Sequence, residues 1–331
     1  MLNGSATSSG TRLFASRFPQ AAGFFRPAQE WTISSIGIGS YLGATDEARD
    51  QGYTASVLAA VAGGINFIDT SLNYRNQHSE RAIGAALAGL CRDELVVCTK
   101  AGYLVPGALP AGALRPEDVV AGMHCLTPVF LRDQLERSQR NLGLETIDVF
   151  HLHNPETQLA HVPEAEFYER CRTAFVCLEE LVAAGAIRYY GTATWNGYRD
   201  GKLSLTRLAA LATEVAGTRH HFRFIQIPMN LAMPEALTSG VLAEAAGHGI
   251  TAIASASILQ GRLTQGLPAE LAAGFAGLDT DAQRALQFTR STPGIAVALV
   301  GMSQVRHVAE NLALAAVPPL TEAQYTGLFR G

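Results

Sequence analysis

The stretch GINFIDTSLNYRNQHSE, from Gly64 to Glu80, decides the fold. It begins as a buried strand, with Ile65, Phe67 and Ile68 apolar. Asp69 stands where that strand should end, and Tyr74 follows in a polar loop. Ser79 and Glu80 then open a helical pattern, with the acid where a helix N-terminus favours negative charge. One short run therefore holds a strand, a loop and a helix start. Asp69 and Tyr74 have two readings: a strand cap beside a stray aromatic, or the first members of an active site.

Working outward, the same unit recurs eight times. Candidate strands are Thr32–Gly39, Ile65–Asp69, Glu94–Thr99, Ile147–Leu152, Ile187–Ala193, Phe222–Ile227, Thr251–Ser255 and Ala296–Gly301. Candidate helices lie near Gly52–Ala62, Ser79–Gly89, Pro128–Leu142, Glu166–Ala184, Leu205–Ala216, Pro234–Gly247, Asp281–Ser291 and Val305–Ala315. Gly143, Gly185 and Gly249 each fall after a helical stretch and before a strand, as a residue just past a helix end should. The strands read as near-continuous apolar runs, the pattern of strands covered on both faces. Unbroken βα alternation with short links means parallel strands and right-handed crossovers. Eight such units fit a (β/α)8 TIM barrel, which needs ~250 residues. We expect one barrel domain over residues 31–331, with an insertion at 101–127, and a partly flexible N-terminal extension over residues 1–30. Residues 1–17 are Ser-rich, with Arg12 and Arg17 and no acid, which resembles a transit peptide in composition; the other reading is a plain extension. A Rossmann fold would need GxGxxG after the first strand, but here Gly37 and Gly39 are followed next by Gly43, so the spacing fails.

Composition narrows the function. The chain has 331 residues, 48% of them hydrophobic, enough for a full core. A net charge of −4 gives no field favouring nucleic acid or an anionic membrane. No apolar run reaches the ~18 residues of a membrane span. Five scattered cysteines form no CxxC pair or metal-like cluster, which suits a reducing compartment. The expectation is a cytoplasmic enzyme with a small-molecule substrate, with no nucleic-acid or membrane partner and no metal, working as a monomer or homo-oligomer.

In such a barrel, chemistry gathers at the C-terminal ends of the strands. Those ends offer Asp69 with Tyr74, Lys100 and His153 on three successive strands. Singly, each has a bland explanation. Together they make a chemical set: Asp69 pairs with Lys100, and Lys100 lowers the Tyr74 phenol from its reference ~10. A phenol so tuned acts as a general acid towards a carbonyl oxygen, which His153 orients by hydrogen bonding. His151 points to the same side as His153 by strand alternation and reads as a supporting or core residue.

At this point the chain resembles the aldo-keto reductases. The resemblance is carried by Gly64-Ile65-Asn66-Phe67-Ile68-Asp69-Thr70 with Tyr74 and Ser79-Glu80, by Thr99-Lys100, by Leu142-Gly143-Leu144 through Asp148 to His153, and by Leu178–Gly191. It implies an NAD(P)-dependent (β/α)8 oxidoreductase acting on an aldehyde, ketone or sugar lactol. Tyr74 would be the general acid/base, with Lys100 and Asp69 tuning it and His153 holding the carbonyl oxygen. It further implies that Thr194 and Gln226 hold the nicotinamide amide. Ser255, Ser257, Leu259 and Gly261 would follow the cofactor, as would Gly301, Ser303 and Gln304 at a phosphate-binding turn and Glu310 and Asn311 at the adenine. Two departures stand out. Ser255 occupies the position of a ring-stacking aromatic, which leaves three readings: a cofactor that sits differently, one that binds more weakly, or one that borrows another aromatic such as Trp195. In the stretch where relatives carry a cation for the 2′-phosphate of NADP, this chain has Gly301, Met302 and His307, leaving Arg306 as the candidate. Family habit tips the expectation to NADP(H) over NAD(H). Tyr41, Trp195 and the 101–127 insertion would line the substrate pocket. The competing functions are a nucleotide-binding regulatory or scaffold protein on the same barrel, and a non-redox isomerase or lyase.

Overall fold

The computed structural model describes residues 1–18, 23–107, 113–275 and 277–329. The chain enters through a helix, α1 (Ser8–Ser16), and an antiparallel hairpin of β1 (Phe25–Ala28) and β2 (Trp31–Ser34). Eight parallel strands then close a barrel in chain order: β3 (Ile36–Gly39), β4 (Phe67–Asp69), β5 (Val96–Ala101), β6 (Ile147–His153), β7 (Ile187–Ala193), β8 (Phe222–Pro228), β9 (Thr251–Ser255) and β10 (Ile295–Gly301), with β10 pairing back onto β3. Its outer helices include α2 (Glu47–Ala62), α3 (His78–Leu87), α4 (Pro128–Leu142), α5 (Glu164–Ala183) and α6 (Leu205–Ala216). They continue with α7 (Glu235–Thr238), α8 (Val241–Gly247), α9 (Ala269–Ala273), α10 (Asp281–Ser291), α11 (Val305–Leu312) and α12 (Glu322–Gly327). This is the (β/α)8 barrel expected from the alternation. Among the described residues no helix is long and apolar enough to cross a membrane.

The structure departs from the sequence reading at identifiable places. Thr32–Gly39 is two strands rather than one. Trp31 and Ile33 point into the barrel floor, packed with Phe67, Val96, Val149 and Phe224. The chain then bends: the Ser34 hydroxyl donates to the Ile36 carbonyl at 2.7 Å, and the Ser34 amide donates to Asn66 Oδ1 at 2.8 Å. Pro234–Gly247 is likewise two helices, α7 and α8. Helix α2 starts five residues before Gly52, because Asp46 caps it by accepting from the Arg49 amide at 2.7 Å.

The N-terminal segment differs most. Residues read as part of a partly flexible extension are built into the floor. Thr7 caps α1, and Phe14 and Ala6 are buried. The Ala6 amide donates to Asp148 Oδ1 at 2.8 Å, and its carbonyl accepts from the Trp31 indole at 3.1 Å. Asp148 is buried in β6, where Arg92 and the Val97 amide each donate to its other oxygen at 2.7 Å. A buried carboxylate needs such partners. Burying Phe14 adds roughly 1.5–3 kcal/mol. Residues 19–22, within the extension, and 108–112, within the insertion, lie outside the described residues.

Candidate active site

Strand alternation sends every second side chain of the barrel inward, apolar below and polar above. Phe67, Cys98 and Val149 fill the lower level; Asp69, Lys100 and His151 stand one step higher on the same strands. Lys100 donates to Asp69 Oδ2 and to the Thr70 carbonyl, each at 2.7 Å, and its ammonium lies 4.8 Å from the centre of the Tyr74 ring. The Tyr74 ring meets His153 edge-on at 5.8 Å and Tyr41 at 4.9 Å. The four residues expected to act together do converge. A contact absent from the sequence reading joins them: Gln226, across the barrel on β8, donates to Asp69 Oδ1 at 2.8 Å.

Burial sets the electrostatics. It pushes the Asp69 carboxyl above its ordinary value, against the pull of Lys100. Burial also opposes charge on Lys100, but Asp69 and Tyr74 beside it outweigh that and hold the ammonium above the usual lysine range. For Tyr74, burial raises the phenol and Lys100 only partly offsets it. The expected direction of the Lys100 effect is present, yet the net shift is upward, because the ring is desolvated and Asp69 lies close. His153 is driven well below the usual histidine value, first by burial and then by Lys100. It is thus a neutral imidazole, able to donate one hydrogen bond without carrying charge.

Supporting residues fix these groups. The Thr99 hydroxyl, next to Lys100, donates to the buried Glu80 at 2.7 Å. The ring of His124, from the insertion, bonds the His153 carbonyl through Nε2 at 2.8 Å and Gln158 through Nδ1 at 2.9 Å. Burial lowers His124 to about 4. His151 is fully buried, lowered to about 3 by burial and Lys100, and neither ring nitrogen has a hydrogen-bond partner.

A cleft of about 940 Å³ opens above this cluster. Asp69, Tyr74 and His153 line it, together with Tyr41 and Trp195. Of the insertion, Tyr103 reaches the cleft, its hydroxyl accepting from Asn154 Nδ2 at 2.9 Å. Glu156 builds the wall beneath Trp195 by accepting the amides of Trp195, Asn196 and Gly197 at 3.2, 3.1 and 3.1 Å.

The residues expected along a cofactor divide. Thr194, Gln226, Ser255, Ser257 and Gly261 line the cleft, as do Gly301, Ser303, Glu310 and Asn311; Leu259 and Gln304 do not. Leu259 sits in the loop after β9 with a positive φ, and Gln304 is exposed at the start of α11. Arg306 is exposed and does not line the cleft, and Met302 is buried. Among the described residues, the arginine that does line it is Arg49 of α2, which no motif singled out. Three buried polar atoms on the cleft have no partner among the described residues: Thr194 Oγ1, Ser257 Oγ and Asn311 Oδ1. Buried polar atoms are normally satisfied, so unpartnered ones gathered on one cleft mark it as a candidate ligand site. Ala256, Leu259 and Gln260, all in the loop after β9, take left-handed backbone conformations. Such strain costs about 1–3 kcal/mol per residue and gathers where a ligand is clamped.

Fold and site together define a (β/α)8 barrel with a buried Asp-Lys-Tyr-His cluster at the floor of a nucleotide-sized cleft. The family model described as "Aldo/keto reductase family" matches residues 35–328, and the chain belongs to that family. It is 30% identical over 207 residues to D-threo-aldose 1-dehydrogenase of a Pseudomonas species, covering 58% of this chain and 59% of that one. It is 31% identical over 139 residues to the NADH-specific methylglyoxal reductase of Escherichia coli, covering 42% and 40%. The matches thus span about half the length of those relatives. Among solved structures it is similar in fold to an aldo/keto reductase from Klebsiella pneumoniae in complex with NADP and acetate, with a TM-score of 0.69, 23% identity, and coverage of 93% and 94%. The glycerol dehydrogenase of Gluconobacter oxydans is as similar, with a TM-score of 0.69, 21% identity, and coverage of 94% and 95%.

Proposed function

We propose that this chain is an NAD(P)-dependent oxidoreductase acting on a neutral carbonyl or alcohol, with sugar lactols and small hydroxy-aldehydes as the substrate class. The observation that carries this reading is that one cleft holds both halves of such a site: the Asp69-Lys100-Tyr74-His153 cluster and the unpartnered Thr194, Ser257 and Asn311 atoms. Those atoms fit a ligand with an amide, a phosphate and a base to satisfy. When bound, the dinucleotide supplies or accepts the hydride.

The protein's own residues do the rest. Tyr74 gives its proton to the carbonyl oxygen in reduction and takes it back in oxidation. Lys100 counters the desolvation of that phenol, and Asp69 keeps Lys100 in place. Neutral His153 donates to the same oxygen and fixes the carbonyl plane. Tyr41, Tyr103 and Trp195 offer aromatic faces that suit a sugar ring or a short aliphatic chain, while Asn154 offers polar contacts. The named relatives, an aldose dehydrogenase and a methylglyoxal reductase, support this class. The cofactor preference we favour is NADP(H). All five cysteines are unpaired, which suits a reducing compartment such as the cytoplasm.

Tyr74→Phe tests the reading. It is expected to abolish NAD(P)-linked turnover of aldehydes or secondary alcohols while leaving cofactor binding and fold intact. Unchanged turnover overturns the mechanism. A second reading, a nucleotide-binding scaffold, is favoured only by Ser255 at the stacking position; wild-type protein that binds NADPH yet turns over none of these substrates supports it.

A further inference from the structure

We propose that Arg49, at the start of α2, meets the extra phosphate that distinguishes NADP(H) from NAD(H), and so sets cofactor selectivity from the helix packed beside the stretch 301–307 rather than from within that stretch. This rests on the nucleotide reading above.

Four observations place it. First, Arg49 lines the cleft, and its Nη1 donates to Ser303 Oγ at 2.7 Å, so the guanidinium sits on the turn between β10 and α11. His307 and the unpartnered Asn311 Oδ1, nine-tenths buried or more, line the same side.

Second, among the described residues no carboxylate lies within salt-bridge distance of Arg49, although acids crowd its helix. Asp46 is turned to the Arg49 backbone amide, Glu47 to Gln51, and Asp50 to Arg75 and His78. Glu310, which also lines the cleft, accepts from the Thr280 hydroxyl at 2.7 Å. A guanidinium held towards a cleft with no carboxylate in salt-bridge reach is matched to a dianionic phosphate, which it grips through two parallel donors.

Third, two glycines make room for this placement. A Cβ on Gly43, whose φ is +125°, would lie 2.9 Å from Arg49 Cδ and 3.1 Å from its Nε. A Cβ on Gly52 would lie 2.7 Å from the Ser303 carbonyl, so Gly52 is what lets the turn approach α2. Fourth, the alternative cation, Arg306, is exposed and off the cleft.

The test is a fluorescence titration of NADPH and NADH against wild type, Arg49→Ala, Arg49→Lys and Gly43→Ala, with adenosine 2′,5′-bisphosphate and adenosine 5′-monophosphate as the half-ligand pair. The expected result is that wild type prefers NADPH, and that Arg49→Ala weakens NADPH roughly ten- to hundredfold while leaving NADH within about twofold. Arg49→Lys keeps charge but loses the fork and falls between. Gly43→Ala moves in the same direction as Arg49→Ala, more weakly. The bisphosphate follows NADPH, and the monophosphate follows NADH. Retained NADH binding also shows that the variants fold. Equal loss of both cofactors in Arg49→Ala places the arginine on the shared pyrophosphate and overturns the proposal. So does a wild type that binds NADH as tightly as NADPH, or an unaltered Arg49→Ala. A wild type that binds neither cofactor overturns the nucleotide reading itself, and the assignment of Arg49 with it.

Discussion

Gln226 on β8 donates to Asp69 Oδ1 at 2.8 Å, tying strands on opposite walls of the barrel through the carboxylate that also receives Lys100. A hydrogen bond to a charged group contributes roughly 1.5–3 kcal/mol. We therefore expect Gln226→Leu to lower kcat roughly ten- to hundredfold and to move the pH–rate profile, because Asp69 loses a donor to its charged form and shifts further upward. Steady-state kinetics across pH check this. A change confined to cofactor KM, with an unmoved profile, would mean that Gln226 serves only the nicotinamide.

Lys100 and Asp69 are each buried and face one another. Removing one partner of such a pair costs about 3–5 kcal/mol, whereas removing both charges is often near neutral. Lys100→Met is expected to lower urea stability by that amount and to abolish turnover. Lys100→Met combined with Asp69→Asn is expected to recover most of the stability and none of the turnover. Equilibrium unfolding and turnover on the same preparations separate the two effects.

The upward shift of Tyr74 gives the pH dependence a sign. On the proposed mechanism the protonated phenol is the form that reduces, and it is present below its pKa, which burial lifts above the ordinary phenol value. Reduction should then be flat through the neutral range and decline only in strong alkali. Oxidation needs the deprotonated form, so it should climb steadily with rising pH. His153 stands well below the usual histidine value, so neither profile should inflect near neutrality. An inflection of reduction near pH 6–7, removed by His153→Gln, would contradict a neutral His153.

Neither ring nitrogen of His151 has a partner in good hydrogen-bond geometry, and burial and Lys100 hold it at about 3 against a weak opposing pull from the Thr99 backbone. Its folded value lies below its unfolded one, so above ~6.5 it contributes nothing to the pH dependence. Below that, the unfolded chain takes up a proton that the native state refuses, and stability falls as pH drops towards the folded value. Asp69 and Asp148, held above ordinary carboxylate values, act in the opposite sense, so the comparison must be between variants. His151→Leu is expected to gain stability over wild type at neutral pH, by about 1–3 kcal/mol from removal of an unpaired polar group. That advantage should widen from pH 6.5 to 4.5. Urea midpoints measured across that range decide it.

Glu156 accepts the three amides that carry Trp195. Glu156→Ala should free that loop and raise substrate KM several-fold while kcat and NADPH affinity hold. A fall in kcat without a change in KM would place Glu156 in the chemistry rather than under the pocket wall.

The barrel was legible because each βα unit repeats its own signals. The sequence reading of Asp281–Ser291 matches the helix ends, and in the structure Thr280 and Gln283 form a capping box there. Asp69, Lys100 and His153 were legible because strand ends can be counted along the sequence, and Tyr74 because it follows one of them in a short polar loop. What escaped depends on contacts between distant segments. The bend at Ser34 requires a floor to turn into, and Gln226 required knowing which strand faces β4. Arg49 was invisible because its helix carries as many acids as any exposed face, and only the structure shows each of them engaged elsewhere. The polar composition of residues 1–17 could not reveal that their backbone is what a buried aspartate binds.

That last arrangement imposes an order on how the protein is made. Ala6 leaves the ribosome 142 residues before its partner Asp148. At ~5–20 residues per second, roughly seven to twenty-eight seconds of synthesis separate them. During that interval the indole of Trp31 has the Ala6 carbonyl to bond, but the strands that will enclose it are still being synthesised. Ala6 can therefore take up this bond only once the first four barrel strands, β3 to β6, have been synthesised.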